Sequence, residues 1–367
     1  MRIRRLAIVG TGLIGASVGL ASKRVGIEVV SGFDPDSEAL SLAADRGAVD
    51  EPATSLEEAL EGANLVVVAA PVAKLPAQVG AVLASANADC TVTDVGSTKR
   101  AICATCVDER FIGGHPVCGS EAHGPAHASG DLFKGATWFL CPLEATDPDR
   151  YRLLHGFVAS LGAFPVAIDP AAHDRLVALT SHLPHALSNV LVNQAGKTRI
   201  EGHEPLSAAG GSLRDMTRVA GANPRIWVDI FLENAKPLRE ALAQHRSSVE
   251  QLEQALEAGD ASFLSEWIAE AAQHRRRLLS EAYPSGGELF RLSVHVFDQP
   301  GVLASITQVL GAERINIEDI EMHHVSPERG GTLTLIVSGE SNAREAARLL
   351  EAQGFSVAAS DILEEAE

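Results

Sequence analysis

Hydrophobic residues follow three successive rhythms along the chain. Up to about residue 170, short apolar runs at 6–9, 28–33, 65–70, 91–95, 111–114, 137–141 and 163–168 recur between segments of helical periodicity. Runs of that length bounded by turn residues are strand signals, and their alternation with helices predicts an α/β, Rossmann-like doubly wound sheet. From 171 to 284 the strand signals vanish. Amphipathic segments at 177–194, 227–257 and 263–282 predict an all-helical domain whose long apolar faces pack against a partner subunit. Pro284-Ser285-Gly286-Gly287 breaks that pattern. Beyond it Leu292, Val294 and Val296 alternate with Ser293, His295 and Phe297, and a helix is expected over 300–310. Strands at 315–325 and 332–337 flank Glu328-Arg329-Gly330-Gly331, a helix over 342–353 stops at Gly354, and a last strand covers 355–363. The order βαββαβ predicts a ferredoxin-like module. Three domains are therefore expected, over 1–170, 171–284 and 288–367.

Composition narrows the function. In 367 residues, 30 Lys plus Arg face 48 Asp plus Glu, for a net charge of −18. Such a surface repels phosphate backbones and argues against a nucleic-acid partner. Five cysteines, Cys90, Cys103, Cys106, Cys118 and Cys141, are odd in number and confined to the first half. They make no disulfide framework and predict a reducing, cytoplasmic setting. Cys103-x-x-Cys106 lacks a second pair and reads as two small helical residues. No run reaches ~18 apolar residues, so no membrane span is expected.

The amino terminus imitates a secretory leader, with Arg2, Arg4 and Arg5 ahead of an apolar stretch over 6–20. Its glycines decide otherwise. Gly10, Gly12 and Gly15 stand at the G-x-G-x-x-G spacing between a strand and a helix that begins at Leu13. Gly10 suits a tight turn, Gly12 the approach of a pyrophosphate, and Gly15 close packing of helix on strand. The second strand ends in Asp34, about 20 residues past the motif, where a carboxylate accepts from a ribose diol and repels a 2′-phosphate. NAD is favoured over NADP. The alternative is that Asp34 caps the helix from Ser37.

Candidate chemistry lies at the carboxyl edge of the predicted sheet. His115, in Gly113-Gly114-His115-Pro116, follows a strand there, and its near-neutral pKa suits a general base; a loop histidine bonded to backbone is the alternative. Ser97, in Gly96-Ser97-Thr98-Lys99, holds a substrate hydroxyl or caps the next helix. His182 and His185 share a helical face, as cleft lining in preference to a metal site that would need further ligands. Arg214 and Arg218 follow Gly210-Gly211, and arginine grips carboxylates with two donors. Ion pairing at the surface is the alternative for both. Arg275-Arg276-Arg277 reads as a solvated face.

Together these motifs resemble the prephenate dehydrogenase family across essentially the whole chain. The resemblance rests on the glycine motif with Asp34, the Gly-Gly-His-Pro-x-x-Gly run at 113–119, Ser-His-Leu-Pro-His at 181–185, Asp-x-Thr-Arg at 215–218, and Trp227-x-Asp229-Ile230-Phe231 with Asn234. The tail looks like an ACT domain, through Asp298-Gln299-Pro300-Gly301 and Ile315-Asn316-Ile317. The resemblance implies NAD-dependent oxidative decarboxylation of prephenate to 4-hydroxyphenylpyruvate and CO2, by a homodimer without a metal. It makes His115 the base and Ser97 an orienting group. Arg218, Ser120, His185 and Gly211 become substrate contacts, and Leu13, Ile14 and Pro71 further cofactor contacts. It also implies an amino-acid effector, tyrosine, held by Asp298, Pro300, Gly301 and Asn316. Cys118, inside the His-Pro run, departs from the pattern and is assigned packing alone. An arogenate dehydrogenase and a non-catalytic NAD-binding sensor are the rival readings; the sensor would need neither His115 nor Arg218.

Overall fold

The run Leu65–Val68, Leu-Val-Val-Val, is buried at every position, as a strand covered on both faces must be. It is β4, an inner strand of the first of two units into which the chain divides, 1–246 and 247–367. The computed structural model describes residues 3–118, 122–282, 288–297, 299–326 and 330–361.

The first unit opens β1 (Arg5–Val9), α1 (Leu13–Arg24), β2 (Val29–Phe33), α2 (Ser37–Asp45), β3 (Glu51–Pro52) and α3 (Leu56–Leu60). After β4 come α4 (Leu75–Ser85), β5 (Thr91–Asp94), α5 (Arg100–Thr105), β6 (Phe111–Pro116), β7 (Thr137–Cys141), α6 (Pro148–Ser160) and β8 (Phe164–Ala167). The sheet order is β3-β2-β1-β4-β5-β6-β7-β8. Alternate residues serve two cores. Leu6, Ile8, Leu65 and Val67 pack with Val18 of α1 and Leu154 of α6, while Ala7, Val9, Val66 and Val68 pack with Val79 and Val82 of α4.

The doubly wound expectation needs one correction, because β7 runs antiparallel to β6. Hydrophobic pattern does not encode strand direction. As a result β6 changes partner part-way along. Phe111 and Ile112 pair with Val92 and Thr93 of β5, whereas Gly113–Pro116 pair only with β7. The long connection from β6 to β7 is stitched back to the glycine-motif half. The Ser129 amide donates to Ser17 Oγ at 3.0 Å, Arg46 donates to the Ala128 carbonyl at 3.0 Å, and Arg24 pairs with Asp131 at 2.6 Å.

The helical region follows with α7 (Pro170–Val177), α8 (Leu183–Lys197), α9 (Gly211–Met216), α10 (Pro224–Glu233), α11 (Ala235–Ala258) and α12 (Ala261–Ala282). Asp147, Asp169 and Asn223 cap α6, α7 and α10 through side-chain oxygens, each just ahead of a proline at the first helical position. Two expected single segments are interrupted. Between α7 and α8 lies a π-helical turn over Ala178–His182, closed by the Leu183 amide bonding the Ala178 carbonyl. Pro184 explains it, since it has no N–H for the ordinary bond to residue 180. The segment 227–257 breaks at Asn234, just before Pro237, which is tolerated only in a helix's first turn. Among the described residues no helix is long and apolar enough to cross a membrane.

The second unit ends in a separate four-stranded antiparallel sheet, order β10-β11-β9-β12. Its elements are β9 (Leu289–Val296), α13 (Val302–Ala312), β10 (Asp319–Ser326), β11 (Gly330–Ser338), α14 (Glu340–Ala352) and β12 (Ser356–Asp361). Leu292, Val294 and Val296 face the core and His295 is exposed, as the alternation predicts. β10 begins four residues later than expected from position 315, because the Ile315 amide still bonds Leu310 in closing off α13.

Candidate active site

The glycine motif builds its turn by steric necessity. A Cβ on Gly10, whose φ is +98°, would lie 2.2 Å from the Ala69 carbonyl oxygen, and one on Gly15 would lie 1.9 Å from that of Gly10. At Gly12 a Cβ meets nothing within 4 Å. That open side adjoins the amino end of α1, which has no side-chain cap, and the Leu13 and Ile14 amides have no intrahelical acceptor. Asp34 accepts from the Thr11 amide at 2.6 Å and the Asp36 amide at 2.9 Å. The cap of α2 is Asp36, which settles the alternative raised for Asp34. Pro71 begins the turn after β4, against which α10 packs. These positions leave an open turn at the uncapped amino end of α1, the kind of place that accepts an anion such as a pyrophosphate.

The change of partner along β6 creates the second half of the site. Where β5 ends, Asp94 turns its carboxylate across, accepting from the Gly114 amide at 3.0 Å and the Gly96 amide at 2.8 Å. Lys99 pairs with the same carboxylate, and both side chains are fully buried. A Cβ on Gly114 would lie 2.5 Å from the Asp94 carbonyl oxygen, so only glycine fits there. Ser97 sits half-buried on the loop that Asp94 anchors. It does not cap α5, whose first amides are bonded instead by a distant carboxylate, that of Asp174.

His115 is partly buried on β6, with Nδ1 2.9 Å from Nε2 of His173, and His173 Nδ1 lies 2.8 Å from Asp174 Oδ1. Burial, followed by the adjoining His173, Lys99 and His182, holds the His115 pKa well below the ordinary histidine value. The ring is neutral at neutral pH. Burial pushes the Asp174 carboxyl up, but bonds from His173 and the Lys99 and Arg100 amides outweigh it, and it stays ionised.

On the helical side, the π turn separates two histidines that a regular helix would present alike. His182 is buried, with Nδ1 3.0 Å from Asn234 Nδ2, and burial pushes its pKa down to about 4. Asn234 Nδ2 also donates to the Asp174 carbonyl at 2.8 Å, so His182 Nδ1 accepts and its proton sits on Nε2. His185 stacks on Trp227 with ring centroids 3.4 Å apart and donates from Nδ1 to the Ser181 carbonyl at 3.1 Å. Burial, then the nearby charge of Arg218, lowers the His185 pKa. Arg218 is exposed on the turn after α9, the short helix that Gly211 opens. Burial raises the Cys118 thiol to about 11, consistent with packing alone.

The structure thus gathers His115, His182, His185 and Arg218 with three residues that the sequence reading passed over, His173, Asp174 and Lys99. A signal existed for the first two. Both lie on the buried face of α7 with Val177, where polar side chains call for partners. Ser120 and Asp298 lie outside the described residues. In the second unit, a cavity of ≈450 Å3 is lined by His295, Phe297, Gln299, Pro300, Gly301, Ser305 and Phe355 among others. Gly301, at φ +92°, begins α13 on one side of it. Asn316, exposed before β10, is not among its lining residues.

Three stretches of the chain match known families in succession. Residues 18–166 match the family model of the prephenate dehydrogenase nucleotide-binding domain, 169–270 that of the prephenate dehydrogenase dimerization domain, and 290–355 that of the ACT domain. A prephenate dehydrogenase of Bacillus subtilis is 30% identical over 95% of this chain and 96% of its own length. The crystal structure of Aquifex aeolicus prephenate dehydrogenase with hydroxyphenyl propionate and NAD+ superposes with a TM-score of 0.72, at 28% identity over 76% of this chain and 99% of that one. A Synechocystis arogenate dehydrogenase structure gives 0.68, also at 28% identity, over 75% and 99%. By glycine cradle, histidine cluster and end-to-end match, the chain belongs to the prephenate dehydrogenase family.

Proposed function

We infer that the chain converts prephenate to 4-hydroxyphenylpyruvate and CO2 with NAD, and that His115 is the base. The observation that carries this is a histidine held neutral by its surroundings at the end of β6, on the same sheet edge as the dinucleotide cradle. Gly10, Gly12, Leu13, Ile14, Gly15 and Pro71 would hold the cofactor, with Asp34 on the adenosine ribose. When bound, NAD supplies the acceptor for the hydride leaving the carbinol carbon. His115 takes the hydroxyl proton as that carbon is oxidised. Loss of CO2 then makes the ring aromatic, and the phenol oxygen needs one proton back, so His115 returns what it took and the reaction releases none. Ser97 orients the hydroxyl.

Arg218 binds a substrate carboxylate beside His185 and Gly211, supported by the nearness of its charge to His185. Rates on prephenate and arogenate, each with NAD and NADP, are expected to be highest for prephenate with NAD. In the same assay Arg218→Ala raises the prephenate KM at least tenfold, and Arg218→Lys restores little, since a point charge lacks the fork. Full rescue by lysine would show that charge alone matters.

The domain limits 1–170, 171–284 and 288–367 are proposed as functional boundaries, with a homodimer formed through the middle one. Exposed Val228, Leu232, Trp267, Ile268 and Leu278 support an interface there. Five free thiols support a reducing, cytoplasmic setting. Tyrosine, the amino acid one transamination beyond the product, is proposed as the effector bound in the Gly301 cavity. The amino end of α13 offers N–H groups to its carboxylate there. Gly301→Asp is expected to leave basal kcat unchanged and abolish inhibition by tyrosine. Inhibition at unchanged affinity would place tyrosine at the catalytic site instead.

A further inference from the structure

The His115 ring has two nitrogens, and only one of them can serve as the base. Its Nδ1 is committed inward, 2.9 Å from His173 Nε2. The direction of the proton along that contact follows from the far end of the chain. Asp174 is an ionised carboxylate that only accepts, and it already takes the Lys99 amide at 2.7 Å and the Arg100 amide at 2.9 Å, the free amino end of α5. His173 Nδ1, 2.8 Å from Asp174 Oδ1, must therefore carry the proton of that bond. His173 Nε2 is then a lone pair, and His115 Nδ1 must be the N–H that donates to it. The only basic nitrogen left on His115 is Nε2. His173 is 0% exposed and Asp174 3%, so water does not scramble this order.

We propose that His173 and Asp174 are positioning residues, which lock His115 in the Nδ1–H tautomer and present its Nε2 lone pair to the substrate. The dyad touches neither substrate nor cofactor. It rests on the reading of His115 as the base, and its action has two parts. Before proton transfer it removes the wrong tautomer. After transfer, the imidazolium keeps its inner N–H bonded to His173 while the Asp174 carboxylate balances charge two bonds away. The other charged and titratable groups acting on His115 are Lys99, itself paired with Asp94, and His182, whose tautomer is fixed independently by Asn234. Neither contacts His115 Nδ1.

Nitrogen-15 spectra of the histidine-labelled full chain test this without turnover. Two-bond correlations are expected to show His115 with a protonated Nδ1 and a pyridine-like Nε2 at neutral pH, and His173 in the same tautomer. The reverse pattern at His115 overturns the proposal while leaving its role as base open. An active His115→Asn variant would instead remove the base reading and leave the tautomer assignment standing.

Asp174→Asn provides the kinetic arm. The Lys99 amide shares Asp174 Oδ1 with His173 Nδ1, so the Asn amide oxygen stays toward both and the tautomer is kept, while the charge that balances the His115 imidazolium is removed. The expected result is a kcat loss on the order of 10²-fold or more at nearly unchanged KM for prephenate and NAD, with the His115 tautomer unchanged in the spectra. His173→Gln, which keeps an acceptor oxygen toward His115, is expected to retain at least tenfold more activity than His173→Leu. Equal activities for Gln and Leu, or a folded Asp174→Asn enzyme with wild-type kcat, would each refute the proposal. If these buried variants fail to fold, the wild-type spectra alone decide.

Discussion

Replacing His115 with Asn is expected to lower kcat about 10²- to 10⁴-fold, the contribution of a positioned general base, while the Kd for NAD stays unchanged. Asparagine is close in size and retains an inward-facing donor for His173, so the β6 backbone and its pairing with β7 should persist. The lost element is the outer lone pair. The same assay carries a pH signature. Because burial and the adjoining His173, Lys99 and His182 lower the folded pKa of His115, the base stays deprotonated below the ordinary value near 6.5. In the wild type kcat/KM should therefore hold as pH falls through 6.5 and decline only at lower pH, and that acidic limb should vanish in the variant. Wild-type turnover by His115→Asn would end the assignment.

Lys99→Met is expected to destabilise the first unit by about 3–5 kcal/mol, because it removes one partner of a buried ion pair and leaves the other charge uncompensated. Both side chains are fully buried, and Asp94 also holds the Gly96 and Gly114 amides. The site should loosen along with the fold. For a unit of this size the melting temperature should fall by about 10 °C. The double variant Lys99→Met/Asp94→Asn, which removes the orphaned charge, should recover part of that loss. A single variant that melts like the wild type would show that the pair contributes nothing to stability.

What the sequence made legible was whatever is written locally. The glycine motif announced β1, α1 and the carboxylate of Asp34 just past β2. The two-residue alternation at Leu292, Val294 and Val296 announced β9, and Gly-Gly-His-Pro marked the end of β6. Direction of β7 was not legible, since a buried strand has the same composition either way. Nor was the role of Asp174, whose partners Lys99 and Arg100 stand 75 and 74 residues earlier. The π turn was legible in principle, because Pro184 denies a donor to the helix, yet a periodicity reading that seeks regular helices passes over it. Asn316 is near the Gly301 turn in sequence, yet the chain leaves α13 on a path that keeps it out of the cavity lining.

The connection from β6 to β7 bears on how this enzyme can be re-engineered. A long surface loop is ordinarily the place to insert a tag, open new termini or exchange segments between relatives. Here the loop that leaves His115 is sewn to the nucleotide half at Ser17, Arg24 and Arg46. Cutting it would remove, in a single edit, the bonds that tie the segment after His115 directly to α1 and α2. Chimeras that exchange this connection should carry α1 and α2 with it as one inheritable piece.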